Sequence, residues 1–141
     1  MNPQLNLHLY AIPTESLPQT ARHESVPTRS IAEGQNIAES LLQCSFEDAV
    51  QSLESLDQRM FIELDGSFVW TGGEGLSAWQ IDGMIYDRLN RVSRVEIKGQ
   101  CPLEKWRKLV SVFDPTGRSL VAHLLDQKCF VPIETLEELW S

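Results

Sequence analysis

Residues Ala78–Gly99 read AWQIDGMIYDRLNRVSRVEIKG, and how this stretch pairs with itself decides the fold. Apolar and polar residues alternate on either side of Arg88-Leu89-Asn90, the mark of two strands that each bury one face. With those three residues as the loop, Asp87 opposes Arg91, Ile85 opposes Ser93, Gly83 opposes Val95 and Ile81 opposes Ile97. That face is apolar. The other face pairs Tyr86 with Val92, Met84 with Arg94, Asp82 with Glu96 and Gln80 with Lys98. A slip of one residue sets Asp82 against Ile97 and scrambles both faces, so burial selects against it. Asn90 tolerates the left-handed conformation that suits a three-residue loop.

This register has a chemical consequence. Asp82 and Glu96 stand across from each other, about 5 Å apart at their β-carbons, and like charges so placed repel. A divalent cation relieves the repulsion, because Mg²⁺ takes carboxylate oxygens and water. Lys98, on the same face, then steadies a nucleophilic water or developing phosphate charge. The simpler reading is a charge ladder on a solvated face, with Lys98 and Arg94 diagonal to Glu96 and Asp82. An acidic-x-basic triplet is common in sheets that catalyse nothing, so the simpler reading is the default.

Asp82, followed by Glu96-Ile97-Lys98 on the next strand, resembles the core of the PD-(D/E)XK nuclease superfamily. In that family an aspartate opens one strand of a hairpin, the next strand carries an acidic-x-lysine triplet, and a helix follows. The segment from Pro102 takes the place of that helix. The resemblance spans residues 36–125 in element order, and its specific motif is three residues. It implies a metal site of Asp82 and Glu96 holding Mg²⁺ or Mn²⁺, with Lys98 orienting or activating the attacking water. The chain also departs from the family pattern. Ile81, not proline, precedes Asp82, the meander has an extra strand, and no Gln-x-x-x-Tyr pattern follows the triplet. The helical glutamate has two counterparts, Glu47 and Glu54.

Composition bounds what remains. A chain of 141 residues is expected to be one domain, 1–141, burying about two-thirds of its unfolded surface. At 42% hydrophobic residues it has a folding composition. The net charge of −8 argues against binding nucleic acid along the whole chain. The charge is uneven, however. Eight of the twelve Lys and Arg fall between Arg88 and Arg118, against three acids, while residues 1–87 carry three bases and thirteen acids. Such asymmetry creates a local positive field despite a negative total. Its functional reading is a phosphate-contacting group of Arg94, Lys105 and Lys108 beside Glu96. Its bland reading is that these charges balance acidic neighbours once folded.

Cys44, Cys101 and Cys129 are far apart and odd in number, with no zinc spacing. Cys101, just before Pro102, stands where a helix N-terminus stabilises a thiolate, yet such cysteines are more often inert. His8 lies on the polar side of a strand-like alternation, His123 lies in an apolar run, and no Ser-His-Asp arrangement is visible. The first residues lack a basic region, a continuous apolar stretch and a cleavage site, and no run has the length of a membrane helix. The expected location is cytoplasmic, with no membrane partner.

Leu5–Ala11 alternates and reads as a strand. Residues 12–35, with three prolines, read as a long surface loop or mobile arm. Residues 36–58 read as helical, with Ile37, Leu41 and Leu42 on one face, and Ser45 followed by Asp48 starts a second helix. Asp65-Gly66 between apolar runs predicts a two-residue hairpin that pairs Ile62 with Val69 and Phe61 with Trp70, covered on both sides. Gly72-Gly73-Glu74-Gly75 is a connection, since a phosphate loop needs a lysine-serine ending and a helix after it. Pro102 opens a helix with Leu103, Trp106, Leu109, Val110 and Phe113 at helical spacing. Asp114-Pro115-Thr116-Gly117 is a turn, Leu120–Leu125 is strand or helix, and Cys129–Val131 is a short strand. A last helix follows Pro132, with Trp140 docking on its own domain. The expected core includes Ile62, Val69, Ile81, Val95, Ile97, Trp106 and Leu109. The fold class that results is α+β, a mainly antiparallel meander with helices packed against it.

Two functional classes follow. One is a non-catalytic interaction or ligand-binding domain, with no cofactor implied and a protein or small molecule as partner. The other is a metal-dependent nuclease-like phosphodiesterase, or an inactive relative, with Asp82, Glu96 and Lys98 as the site. Mg²⁺ or Mn²⁺ and nucleic acid enter only under this second reading.

Overall fold

The computed structural model describes residues 2–12, 19–23, 26–30, 41–114 and 120–141, with the main chain alone for 19–23 and 26–30. Nine strands and three helices follow one another in the order β1 (Leu5–Ala11), β2 (Gln19–His23), β3 (Val26–Ser30), α1 (Phe46–Glu54), β4 (Met60–Ile62), β5 (Ser67–Gly72), β6 (Trp79–Arg88), β7 (Arg91–Gln100), α2 (Leu103–Phe113), β8 (Leu120–Leu124), β9 (Cys129–Pro132) and α3 (Ile133–Leu136). Seven strands form one antiparallel sheet in the order β4-β5-β6-β7-β1-β8-β9. The first strand enters the middle of the sheet, between β7 and β8. The fold is the α+β architecture that the alternation implies.

The helices cover one face of this sheet. Leu5, Leu7, Leu9, Ile81, Ile85, Val95 and Ile97 point into the core, where they meet Leu53 of α1 and Trp106, Leu109 and Phe113 of α2. All are at most 1% exposed. Ile62 and Val69 belong to the expected core but are only half-buried.

Both hairpins of the meander depart from their expected registers. In β6–β7 the loop has two residues, not three. Leu89 and Asn90 both have positive φ, 56° and 64°, as a type I′ turn requires, and Arg88 pairs with Arg91. Ser93 is then absorbed as a bulge, its hydroxyl donating to the Tyr86 carbonyl at 3.1 Å. Beyond the bulge Asp82 faces Lys98 and Met84 faces Glu96. Asp82 and Glu96 are therefore diagonal, not opposed. Beyond the bulge the displacement amounts to two residues, which leaves those side chains on their expected faces; between the bulge and the turn it is one residue, and Val92, expected on the polar face, is fully buried in the core. Burial distinguishes odd slips from even ones and nothing finer.

In β4–β5 the displacement is one residue. Met60 pairs with Trp70, Phe61 with Val69 and Ile62 with Phe68. Glu63 N–H bonds the Ser67 carbonyl, Gly66 N–H bonds the Glu63 carbonyl, and Gly66 sits at φ 97°. Leu64-Asp65-Gly66 thus forms a three-residue loop with glycine in its left-handed position, where a two-residue turn was expected. Phe68 and Trp70 go into the core, and Phe61 remains 64% exposed, so this hairpin is covered on one side only. Gly83 leaves the space that Phe68 fills, since a β-carbon there would come within 2.1 Å of its ring.

Ser45 caps α1 as expected, its hydroxyl accepting from Asp48 N–H at 3.1 Å. Residues 41–44, just before it, are not helical, and residues 36–40 of the expected helix lie outside the described residues. Leu42 N–H bonds the Val92 carbonyl and Val92 N–H bonds the Cys44 carbonyl, which lays this segment along the start of β7. Ile37 and most of the 12–35 segment lie outside the described residues. Within that segment β2 and β3 pair antiparallel, and β3 lies against β9. Pro115–Ser119, including most of the expected turn after Asp114, also lie outside them. Leu120–Leu124 is a strand. Trp140 docks on its own domain, stacked on Trp106 at 5.8 Å and donating to the Cys101 carbonyl at 2.9 Å.

Candidate functional site on the uncovered sheet face

Alternation along each strand sends every second side chain to the face without helices. The pairings there form rows across the sheet. One row runs Phe61, Val69, Asp82, Lys98, Asn6. The next runs Ser67, Met84, Glu96, His8, His123, Phe130. Asn6, His8, Asp82, Glu96 and Lys98 frame a cavity of about 360 Å³ floored by the strands themselves.

Glu96 is the hub of this face. Its Oε1 accepts from the Tyr86 hydroxyl at 3.0 Å, and its Oε2 meets Arg94 Nη2 at 3.4 Å and His8 Nε2 at 3.3 Å. The Arg94 guanidinium lies over the Tyr86 ring, 3.8 Å from its centre. His8 Nδ1 lies 3.3 Å from the Tyr10 hydroxyl. Burial holds the His8 imidazole below its usual range, outweighing the upward pull of Glu96, while Arg94 and His123 add to the lowering. His8 is therefore neutral near pH 7. His8 thus turns Nε2 toward the Glu96 carboxylate and Nδ1 toward the Tyr10 hydroxyl. His123 stacks on Phe130 at 4.6 Å and meets His8 edge-on, and burial lowers its pKa too.

Asp82 is exposed, with Gln80 Nε2 at 3.0 Å from Oδ1 and 3.3 Å from Oδ2. Lys98 is exposed and makes no ion pair among the described residues. Asn6 Nδ2 reaches Asp126 Oδ1 at 3.4 Å. Asp82, Glu96 and Lys98 thus share one cavity, as the sequence suggests, and Arg94 adjoins it. Lys105 and Lys108 do not. They ride on α2, whose apolar side packs on the opposite face of the sheet. Among the described residues no group of three or more His, Cys, Asp and Glu is placed to hold a metal ion.

The alternation of Leu5–Ala11 puts His8 and Tyr10 on a polar face, but only the pairing of β1 with β7 brings them to Glu96. Tyr86 was expected opposite Val92 and instead faces Arg94, which is what builds the stacked pair. Cys101 lies fully buried, and burial pushes its thiol up to about 12, so it is not an activated thiolate. No described helix is long and apolar enough to cross a membrane. No family model, curated protein or solved structure matches the chain.

Proposed function

We propose that this domain is a non-catalytic binding module that receives a polar ligand or a partner's surface on the uncovered sheet face. The observation that carries this reading is the commitment of Glu96. Tyr86 and Arg94 donate to its two oxygens and His8 Nε2 lies 3.3 Å from Oε2, so the carboxylate is neutralised and oriented by the protein itself. Such a group shapes a surface; it is not poised to take a cation. Lys98 and Asn6 then offer donors to an incoming molecule, and Asp82 offers acceptors, around a cavity of about 360 Å³.

A second reading keeps the nuclease-like site. It is favoured by one observation, that Asp82, Glu96 and Lys98 line the same cavity as His8. In this reading Asp82 and Glu96 take Mg²⁺ or Mn²⁺, Lys98 orients the attacking water and Arg94 contacts a phosphate of DNA or RNA.

Thermal melts with and without Mn²⁺ separate the two. Saturation at about a hundred times the dissociation constant stabilises a metal-binding protein by roughly 2.7 kcal/mol. The binding-module reading expects no shift in wild type or in Asp82→Asn, and no cleavage of single- or double-stranded DNA or RNA. A metal-dependent shift in wild type that vanishes in Asp82→Asn overturns it in favour of the nuclease-like site.

A further inference from the structure

At its β4 edge, away from the cavity just described, the sheet ends in an unusual way. The bonded pairs there are Arg59 with Thr71 and Glu63 with Ser67, with Phe61 opposite Val69 between them. In an antiparallel ladder the residues between bonded positions turn their main-chain groups to the other side. Those residues are Met60 and Ile62. Met60 N–H is returned to the Asp57 carbonyl. The Ile62 N–H and C=O have no partner among the described residues and face outward from the sheet. Beside them, α1 and the end of β4 enclose a groove of about 310 Å³. Its floor is apolar, made by Phe46, Val50 and Ile62, and the fully exposed Leu64 stands at its edge. Its rim is acidic. Glu47, Glu54 and Glu63 line it, and no Lys or Arg does.

We propose that the β4 edge and the α1 groove form a docking site for an extended, basic segment of a partner protein, which joins the sheet as an added strand. Each part of the site reads one property of the occupant. The outward Ile62 groups bond a main chain, so the occupant is extended there. The apolar floor takes every second side chain of that strand, since side chains on a strand alternate in direction. Glu63, on the opposite face of β4 from α1, meets lysine or arginine at the positions between, and Glu47 and Glu54 on α1 flank the floor, so the three together favour a basic segment and repel an acidic one. Charge also decides against a second copy of this chain docking through the same face. The protein carries −8 overall, and residues 1–87, which include the groove, hold thirteen acids against three bases. Two such rims would meet like against like. The brevity of β4, three residues, is the ordinary defence of an edge against indiscriminate pairing, and it leaves one bonding position for a partner that also satisfies the groove.

The test is a fluorescence-anisotropy titration of the full chain with a labelled nine-residue peptide of alternating lysine and valine. A glutamate-valine peptide serves as control. The lysine peptide is expected to saturate, the glutamate peptide to show no binding, and affinity to fall steeply with added salt. Glu54→Lys and Glu63→Lys, both on exposed side chains, are each expected to weaken binding by about tenfold. Methylating alternate amides of the peptide separates the two sides of a strand. Methylation on one set is expected to abolish binding and on the other to leave it intact, whereas a helical occupant loses binding with either. In the complex the Ile62 amide is expected to exchange more slowly with solvent. Absence of saturable binding, binding unchanged by both glutamate variants, or loss with either methylation pattern overturns the proposal. A sedimentation-measured dimer that Glu63→Lys strengthens or abolishes likewise overturns it, in favour of self-association.

Discussion

The same strands build two unlike faces. On the covered side, Leu7, Leu9, Ile81, Val95 and Ile97 are excluded from solvent and held by apolar area. On the uncovered side, His8, Tyr86, Arg94 and Glu96 are held by directed bonds of 3.0–3.4 Å. The difference matters for register. Apolar contacts are non-directional, so a strand moved along by two residues still offers an apolar face. The bonds around Glu96 have no such freedom, because a shift of β6 by two residues to the opposed-carboxylate register carries Tyr86 away from Glu96 and off the Arg94 guanidinium. The covered face supplies most of the stability, and the polar face, together with the Leu89-Asn90 turn, specifies which pairing the strands adopt.

The sharpest way to break this comparison is to cut into the covered face. Ile97→Ala removes a fully buried side chain from the middle of the sheet and is expected to cost roughly 2–5 kcal/mol in urea unfolding. A loss near zero places Ile97 on the wrong face. On the polar side, Tyr86→Phe deletes one hydroxyl bond to Glu96 and is expected to cost about 0.5–1.5 kcal/mol. It is also expected to broaden the amide resonances of β6 and β7 if that bond helps hold register. A variant as stable and as well resolved as wild type removes Glu96 from that role.

Acid probes the same face more gently. Burial lowers the pKa of both His8 and His123, so both resist protonation in the folded state. Their contribution to stability is intact above the unfolded value of about 6.5 and is lost as the pH falls through the folded values. Urea midpoints are therefore expected to drop between about pH 7.5 and about pH 5.5, and to drop less in His123→Gln. An equal drop in the variant assigns the acid sensitivity elsewhere. The smallest effect belongs to Asp82→Asn without metal. Opposed carboxylates would make this change stabilising, whereas an exposed Asp82 that faces Lys98 without an ion pair makes it neutral or a loss of at most about 0.5 kcal/mol. The sign alone reports the register.

How much of this was legible beforehand follows from the same distinction. The order of the elements, the Ser45 cap and the faces of β6 and β7 follow from period and capping chemistry, which are local. The two registers do not. Leu89 is a poor sign of a type I′ turn, because a leucine at positive φ is costly, and nothing in the chain near Ser93 announces a bulge. Asp65-Gly66 signals a turn but not how many residues it contains, and the glycine serves both lengths. Of the candidate site, Asp82, Glu96 and Lys98 were visible as one face of one hairpin. His8 was not, because it reaches Glu96 from a strand distant in sequence. Lys105 and Lys108 are near Lys98 in the chain and yet sit on a helix across the sheet from it. Linear clustering of charge carries no information about which side of a sheet a following helix will cover.

The four tryptophans of the chain fall into two facing pairs, Trp70 with Trp79 at 5.3 Å and Trp106 with Trp140 at 5.8 Å. Indoles so close share their excited states, and the first pair meets at 84° while the second lies at 29°. The molecule therefore carries two optical reporters of different geometry, one in the meander and one joining α2 to the C-terminal residues. Trp79→Phe silences the first and Trp140→Phe the second in circular dichroism. Detachment of the chain's last turn thus becomes visible by itself, without a label and without unfolding the sheet.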